Sequence, residues 1–551
     1  MRRSAWGMTS FLLLVVAAPA WAGASQPASF EQVISRINQR ETQFAQSMRN
    51  YSPMVETYIQ DMKPDAELGE VPSGDTYFLG RLDLSHGLTT TTSFVPDRSG
   101  WLHRLFGPLT AMKYNAAGFA IISPDENELD SAHYDFTFVR REFLGDVRCL
   151  VFDVVPRQNT GQGRFLGRLW VEDQDYNIVR FNGTFAPRPR RAYYFHFDSW
   201  RLNMGPNLWL PAYTYSEEQD MKYSMPRKHL SFKAQTRFWA YNVHSRGRQD
   251  ELTQVLVEPA PTVKDQSDNA QDLSPVQAQR MWVRESEENV LDKLERVGLL
   301  AHEGEVDKVL DTVINNIAIT NKIDIQPEIR CRVLLTAPLE SFTVGHTIVM
   351  SRGLLDVLPD EATLAAVLAH EMAHILLAHG ENPMYGFSDR MLFSEQQTFT
   401  QLTLSHTPAQ EQAADAKALE LLKNSPYKDQ LANAGLFMRA LQQRGPALPN
   451  LIRAHLGNGL TLGSNPRMSE LIASAPSLEM NKVDQIAALP MGARIKVDPW
   501  NDRAQMSKAK PVALLSAREK MFFEVTPVFP YLTRVNDKQA TEKVAATKPA
   551  Q

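Results

Sequence analysis

Residues 360–379 read Asp-Glu-Ala-Thr-Leu-Ala-Ala-Val-Leu-Ala-His-Glu-Met-Ala-His-Ile-Leu-Leu-Ala-His. Alanine and leucine, both strong helix formers, dominate this stretch, and Asp360 is suited to cap the N-terminus of a helix. Within this stretch, the larger apolar side chains recur at helical spacing, at Leu364, Val367, Leu368 and Ile375. The stretch therefore predicts a helix with one face in a hydrophobic core.

Two histidines are set into this apolar helix. His370 and His374 are one turn apart, so their imidazole nitrogens can reach the same metal ion. Glu371 projects beside them, where it can take a proton from metal-bound water. A purely structural histidine pair is the alternative, but buried polar groups are costly unless they are paired or bind a metal. The motif predicts a zinc site with His370 and His374 as ligands and Glu371 as the catalytic base.

A hydrolytic zinc site needs a third protein ligand and an open position. His379 is the nearest further histidine, but its spacing from His374 suits the C-terminal end of the helix better than the metal. Glu411 and Asp415 lie four residues apart on a second predicted helix. We expect Glu411 to bind the metal and Asp415 to accept the N–H of a ligating histidine. A solvated acidic face is the alternative for this pair.

These two motifs, His370-Glu-Met-Ala-His374 and Glu411-Gln-Ala-Ala-Asp415, resemble those of zinc metallopeptidase family M48, of the CAAX prenyl protease, HtpX and periplasmic BepA type. The stretch Ile-Val-Met-Ser-Arg-Gly-Leu-Leu at 348–355, which precedes the helix, is similar as well. The resemblance covers about residues 280–480 and implies one Zn²⁺ per chain and hydrolysis of peptide bonds.

The chain departs from the family pattern at two places. Glu340-Ser341 stands where the family has an Asn-Ala pair on the strand before the helix. Asn465-Pro466 replaces a His-Pro turn, and Leu471 occupies the position of an arginine. The group that stabilises the oxyanion is therefore left open among four candidates, which are Arg467, Arg453, His455 and His406.

The composition is that of a globular protein with several domains. The 551 residues are 43% hydrophobic, and a formal charge of −5 gives no reason to expect a nucleic-acid partner. Residues 1–22 read as a signal peptide, with Arg2 and Arg3 before a short apolar run, so we expect export to the periplasm of a Gram-negative bacterium. No transmembrane segment is expected after its removal. Cys149 and Cys331 are predicted to be either buried free thiols or a disulfide.

The fold class predicted is α+β, with an antiparallel, curved or half-barrel-like sheet followed by a mainly helical zincin-type domain. Residues 29–62 have helical spacing, and the alternation then changes to a period of two. Strands are predicted at 76–84, 134–140, 149–155, 164–171, 178–182, 192–197, 209–213 and 230–239. The order of strands across 151–185 resembles the LolA-like lipoprotein-carrier fold, which implies lipid or lipoprotein contact; a plain sheet that docks substrate is the alternative.

The domain organisation follows from these patterns. We expect a signal peptide at 1–22, a helix and LolA-like sheet at 23–258, and a linker at 259–280. The peptidase domain is expected at 281–480, a small C-terminal element at 481–534, and a disordered tail at 535–551. Residues 380–407 are irregular and are either an active-site lid or an ordinary connection between helices.

The function predicted is that of a zinc endopeptidase of the cell envelope, in which Glu371 assists attack by zinc-bound water. By resemblance, its substrates are envelope or outer-membrane proteins under quality control. The strand near 342–350 is expected to bind substrate as an added β-strand. The alternative is a periplasmic chaperone or lipoprotein-binding protein whose sheet domain is the working part and whose peptidase site is idle or auto-inhibited.

Overall fold

The computed structural model describes most of the chain between residues 29 and 535. The described residues are 29–83, 89–93, 119–125, 128–187, 195–222, 229–243, 274–379, 404–462, 465–479, 481–483, 485, 491–492, 494–507, 514–516, 519 and 523–535. The expected signal peptide, most of the linker and the lid, and residues 536–551 of the tail lie outside these residues.

The N-terminal part is one helix and a ten-stranded antiparallel sheet. Helix α1 is Phe30–Met48. The strands are β1 (Tyr51–Asp65), β2 (Gly69–Asp83), β3 (Thr89–Ser93), β4 (Tyr134–Leu144), β5 (Val147–Pro156), β6 (Arg164–Glu172), β7 (Ile178–Ala186), β8 (His196–Gly205), β9 (Leu208–Lys222) and β10 (His229–Val243). Their order is β3-β2-β1-β10-β9-β8-β7-β6-β5-β4, so the sheet is open, with β3 and β4 at its edges. The predicted α+β class and antiparallel sheet are confirmed.

The helical prediction for residues 29–62 was wrong beyond Met48. Residues 51–65 form β1, which lies between β10 and β2 in the sheet. Eight consecutive residues of β1, from Pro53 to Gln60, are buried, because neighbouring elements cover both faces of the strand. A strand buried on both faces lacks polar alternation, so its sequence does not show the period of two.

The second part is mainly helical and contains a small mixed sheet. Its helices are α2 (Pro275–Arg296), α3 (Glu305–Thr320), α4 (Arg352–Val357), α5 (Glu361–Leu376), α6 (Pro408–Lys423), α7 (Leu431–Arg444), α8 (Pro449–Ile452) and α9 (Ser469–Ser474). The sheet has the order β11-β13-β12-β14, formed by Arg330–Leu334, Thr347–Ser351, Glu340–Val344 and Asn458–Gly459. Two short hairpins follow, β15 (Thr461–Leu462) with β16 (Asn465–Pro466), and β17 (Ile495–Val497) with β18 (Ala504–Met506).

One apolar core runs through both parts. It joins residues of the large sheet, such as Met54 and Trp239, to the helices of the second part and to Phe523 of the C-terminal element. Cys149 and Cys331 are both buried and free, which settles the alternative in favour of thiols. Burial raises the pKa of Cys149 to about 12, so this thiol stays protonated. No helix among the described residues is long and apolar enough to cross a membrane.

Candidate metal centre and active site

Helix α5 carries the histidine motif through the middle of the core. The Asp360 carboxylate caps its N-terminus and accepts the Thr363 N–H at 2.8 Å. Every residue from Ala365 to His374 is buried. The sequence folds here as predicted, because alanines allow close packing against α6, the neighbouring helix that carries Glu411.

Three potential metal ligands converge at the contact between α5 and α6. His370, His374 and Glu411 are all buried, and one ligand atom from each lies within 4.8 Å of the others. The two Nε2 atoms are 3.0 Å apart, and the Glu411 carboxylate lies 3.2 Å from His370 Nε2 and 3.6 Å from His374 Nε2. Helical spacing places the histidines together, and the packing of two helices brings in the glutamate.

Asp415 lies on the far side of His370. Its Oδ1 is 2.8 Å from His370 Nδ1, and its Oδ2 accepts the Met468 N–H at 2.9 Å. Burial and Arg467 oppose a charge on His370, but Asp415 and Glu411 outweigh them and raise its pKa. The carboxylate is therefore placed to hold the His370 ring with Nε2 directed at the other two ligand atoms.

Glu371 is held by two partners. Its Oε1 accepts a hydrogen bond from the Ser341 hydroxyl at 2.7 Å and lies 3.2 Å from Arg467 Nη1. Arg467 also reaches Glu411, with Nε 3.0 Å from Oε2. All four side chains are buried. Ser341 and Arg467 together restrict the orientation of the expected catalytic base.

Two further histidines, His379 and His406, lie beside His374. The His406 ring stacks on His374 with centroids 3.9 Å apart, and its Nε2 is 3.4 Å from Thr343 Oγ1. Burial lowers the pKa of His406, which favours a neutral ring at pH 7. His379 follows the end of α5, as predicted, with Nδ1 3.0 Å from His374 Nδ1. Neither belongs to the three-residue ligand group.

The structure separates the four oxyanion candidates. Arg467 and His406 lie at the centre, as described above. The His455 ring instead packs against Tyr77, with centroids 5.2 Å apart, and Arg453 is exposed on a loop. Arg467 follows Pro466 directly, whereas the family arginine position, Leu471, is a buried apolar residue of α9. The left-handed backbone at Met468 redirects the chain after Arg467, a feature that sequence spacing does not reveal.

The pair that departs from the family pattern has local roles. Ser341 binds Glu371, and the Glu340 carboxylate accepts three consecutive backbone N–H groups, from His455, Leu456 and Gly457. No role for either residue was predicted from the sequence. The available signal was a pair of adjacent polar residues at the start of a short strand before the metal helix.

The donor set fits a zinc ion. Two imidazole nitrogens and one carboxylate oxygen are common ligands of catalytic zinc, and all three residues are withdrawn from solvent. Without a metal ion, the two Nε2 atoms would face each other at 3.0 Å, with the Glu411 carboxylate as their shared neighbour.

Comparison with known families agrees with the motifs. The model of peptidase family M48 matches residues 301–480. The predicted resemblance to this family is thus confirmed. The M48 match covers about a third of the chain, includes all the residues of the candidate centre, and supports a metallopeptidase that acts on polypeptides.

Two other comparisons add little. No curated protein matches the chain. Among solved structures, a DUF1329 family protein from Desulfovibrio piger ATCC 29098 is similar at 13% identity, with 39% of this chain and 94% of that chain covered. The TM-score is 0.20, which carries no argument about the fold. The LolA-like interpretation of the sheet stays a prediction.

Proposed function

We propose that this protein is a zinc-dependent endopeptidase of the cell envelope. The observation that supports the proposal is the convergence of His370, His374 and Glu411 beside Glu371, within the segment that matches peptidase family M48. We infer that His370, His374 and Glu411 hold one zinc ion. When bound, zinc supplies a Lewis acid that polarises a carbonyl and lowers the pKa of water.

The side chains around the centre have separate roles in this proposal. Glu371 takes the proton from the attacking water and passes it to the leaving amine. Asp415 keeps His370 in the tautomer that presents Nε2. Arg467, which bridges Glu371 and Glu411, positions the two carboxylates and places a positive charge where negative charge develops.

Strand β12 supports binding of an extended polypeptide. It pairs with β13 along its length, but with β14 only at Glu340 and Ser341. Among the described strands, none pairs with the remaining edge at 342–344, next to Glu371 and His406. We propose that substrate adds to β12 there, as anticipated from the sequence.

The location and the substrates are part of the proposal. The apolar run at 11–18 after two arginines supports export to the periplasm, and the large sheet offers a surface that recruits envelope proteins or lipoproteins. We propose quality control of envelope or outer-membrane proteins as the biological role.

The test combines zinc analysis with proteolysis of an unfolded protein such as reduced casein. We expect about one zinc per wild-type chain, loss of zinc in Glu411→Ala, and retention of zinc without cleavage in Glu371→Gln. Glu420→Ala is the matched control, because Glu420 is an exposed glutamate on the same helix. Full zinc content in Glu411→Ala would contradict the ligand assignment.

The Glu371→Gln variant also distinguishes a peptidase from a chaperone. If Glu371→Gln protects clients from aggregation in vitro as well as the wild type does, while wild-type protein cleaves nothing, the sheet is the working part. Cleavage by wild type that Glu371→Gln abolishes supports the endopeptidase.

A further inference from the structure

A cavity lies between the large sheet and the C-terminal element, apart from the zinc centre. Its volume is about 250 Å³. Strands β8 to β10 form one wall, and residues of the C-terminal element, including Gly492, Ile495 and Val528, form the other. Much of the lining is apolar, including Leu202, Met204, Tyr213, Ile495, Val528 and Pro530. None of the residues of the candidate zinc centre lines it.

Arg237 of β10 brings a guanidinium to this cavity. Its Nε and Nη2 nitrogens are shielded from solvent, and no hydrogen-bond partner for them is found in the described part of the chain. The ring of Tyr213 lies 5.3 Å from the guanidinium carbon, and the Tyr213 hydroxyl donates to the Thr526 carbonyl. Burial lowers the pKa of Arg237 to about 10, so the surroundings disfavour its charge.

Gln235 lies two residues before Arg237, on the same face of the strand. It is 1% exposed, and neither its Nε2 nor its Oε1 has a hydrogen-bond partner among the described residues. If Gly492 carried a Cβ, that atom would lie 1.9 Å from Arg237 Nη2 and 3.2 Å from Gln235 Oε1. Both side chains therefore end near the same point, where the C-terminal element crosses the sheet.

The nearby carboxylates do not satisfy Arg237. Glu56 and Asp356 favour its charge at long range, but their oxygens are used elsewhere. Glu56 accepts from Tyr77, from the Ala337 N–H and from Arg352, while Asp356 accepts from Arg352 and from the Arg494 and Ile495 N–H groups. The second guanidinium, that of Arg352, adds repulsion.

The unsatisfied groups are mostly donors. Arg237 offers the N–H groups of its Nε and Nη2 nitrogens, and Gln235 offers the two N–H groups of its amide nitrogen. The Gln235 amide oxygen is the single acceptor. A planar guanidinium recognises a carboxylate through paired N–H bonds. We propose that this cavity binds a small organic carboxylate with an apolar body, held by Arg237 and Gln235 at its carboxylate end.

The size of the cavity bounds the ligand. A cavity of about 150 Å³ admits benzene, so one of 250 Å³ takes a body of roughly eight to twelve heavy atoms. A medium-chain fatty acid and the C-terminal residue of an apolar peptide both carry a carboxylate on an apolar body of this size. The lining also contains Lys496, which is exposed, and Asp498, whose opposite charges offset each other, so Arg237 gives the cavity a net positive charge.

The experiment is calorimetric titration of the full mature chain with two probes, octanoate and N-acetyl-leucine. Their neutral counterparts, octan-1-ol and N-acetyl-leucinamide, test the need for the carboxylate. We expect at least one acid to bind, its neutral counterpart not to bind, and Arg237→Met to weaken the affinity about tenfold or more. The acid that binds more tightly identifies the source of the carboxylate.

Controls separate this site from folding and from the peptidase. Arg141→Met is the matched variant, since Arg141 is an exposed arginine on β4, at the far edge of the sheet. If Arg237→Met does not fold, Gln235→Met decides, and it should also weaken binding. Equal binding of acid and neutral probe, unchanged affinity in the variants, or no binding at all overturns the proposal. Binding is measured without proteolysis, so failure of the peptidase assignment would leave this result unaffected.

Discussion

Single side chains decide how the expected catalytic base is held. Ser341 donates a buried hydrogen bond to Glu371, and a hydrogen bond to a charged group contributes about 1.5–3 kcal/mol. We predict that Ser341→Ala lowers kcat for peptide cleavage about tenfold with little change in zinc content, because the carboxylate loses one of its two positioning contacts. Steady-state kinetics and metal analysis check this. Ser199→Ala, which removes another buried hydroxyl within the large sheet, should leave kcat unchanged.

A second residue-scale prediction concerns pH. Burial raises the pKa of Asp502 to about 7, although it accepts the Ala240 N–H at 2.9 Å. The folded state therefore favours the neutral carboxyl. Below the unfolded pKa, near 4, Asp502 does not reduce the free energy of unfolding, but it reduces it increasingly as the pH rises from there to about 7. We predict that Asp502→Asn raises the Tm at pH 8 more than at pH 4.5. Asparagine tolerates the positive φ of 53° at this position. Equal shifts at both pH values would contradict the assignment.

At the scale of elements, one carboxylate joins a strand to a loop. Glu340 of β12 is 1% exposed and accepts N–H groups of residues 455–457 at 2.9, 2.9 and 3.3 Å. Glu340→Ala leaves these donors without an acceptor, and we expect it to lower the free energy of unfolding by about 3 kcal/mol. Urea denaturation measures the change. Glu470→Ala, at an exposed position in the first turn of α9, should change it by less than about 0.5 kcal/mol.

At the scale of the whole molecule, a buried ion pair connects the two halves. Arg352 of α4 lies 2.7 Å from Glu56 of β1 and 3.1 Å from Asp356, and all three side chains are almost fully buried. Removing Glu56 leaves Arg352 with Asp356 as its one carboxylate partner and leaves the Tyr77 hydroxyl and the Ala337 N–H without their acceptor, which destabilises the buried cluster. We therefore predict that Glu56→Ala strongly lowers the Tm.

The double variant Glu56→Leu, Arg352→Met provides the control for this prediction. It removes both charges of the closest pair and leaves Asp356 with the Arg494 and Ile495 N–H groups as donors, so it should recover part of the lost Tm. Scanning calorimetry should also show whether the sheet and the peptidase part still unfold together. A single variant that melts like the wild type would show that the pair does not couple the two halves.

The sequence by itself determined the elements whose signals are local. The helix at 360–376, the histidine pair and most strands of the large sheet (β2, β4 to β7, β9 and β10) follow from propensity, spacing and alternation, which depend on neighbours along the chain. The zinc-ligand prediction joined residues 41 positions apart because a hydrolytic zinc site needs a third ligand, and Glu411 and Asp415 share one face of a second predicted helix. Strand β1 was assigned as a helix because a strand covered on both faces has no polar alternation.

The tertiary structure alone decided which distant side chains meet. It brought Arg467 rather than Leu471 to Glu371 and Glu411, gave Glu340 and Ser341 their partners, and buried Gln235 and Arg237 under the C-terminal element. These contacts join residues separated by up to 257 positions, from Gln235 to Gly492, and each depends on which faces of the elements pack together. Local sequence patterns specify the elements and their apolar faces, but the partner of a buried charge is set by the close packing of the whole molecule.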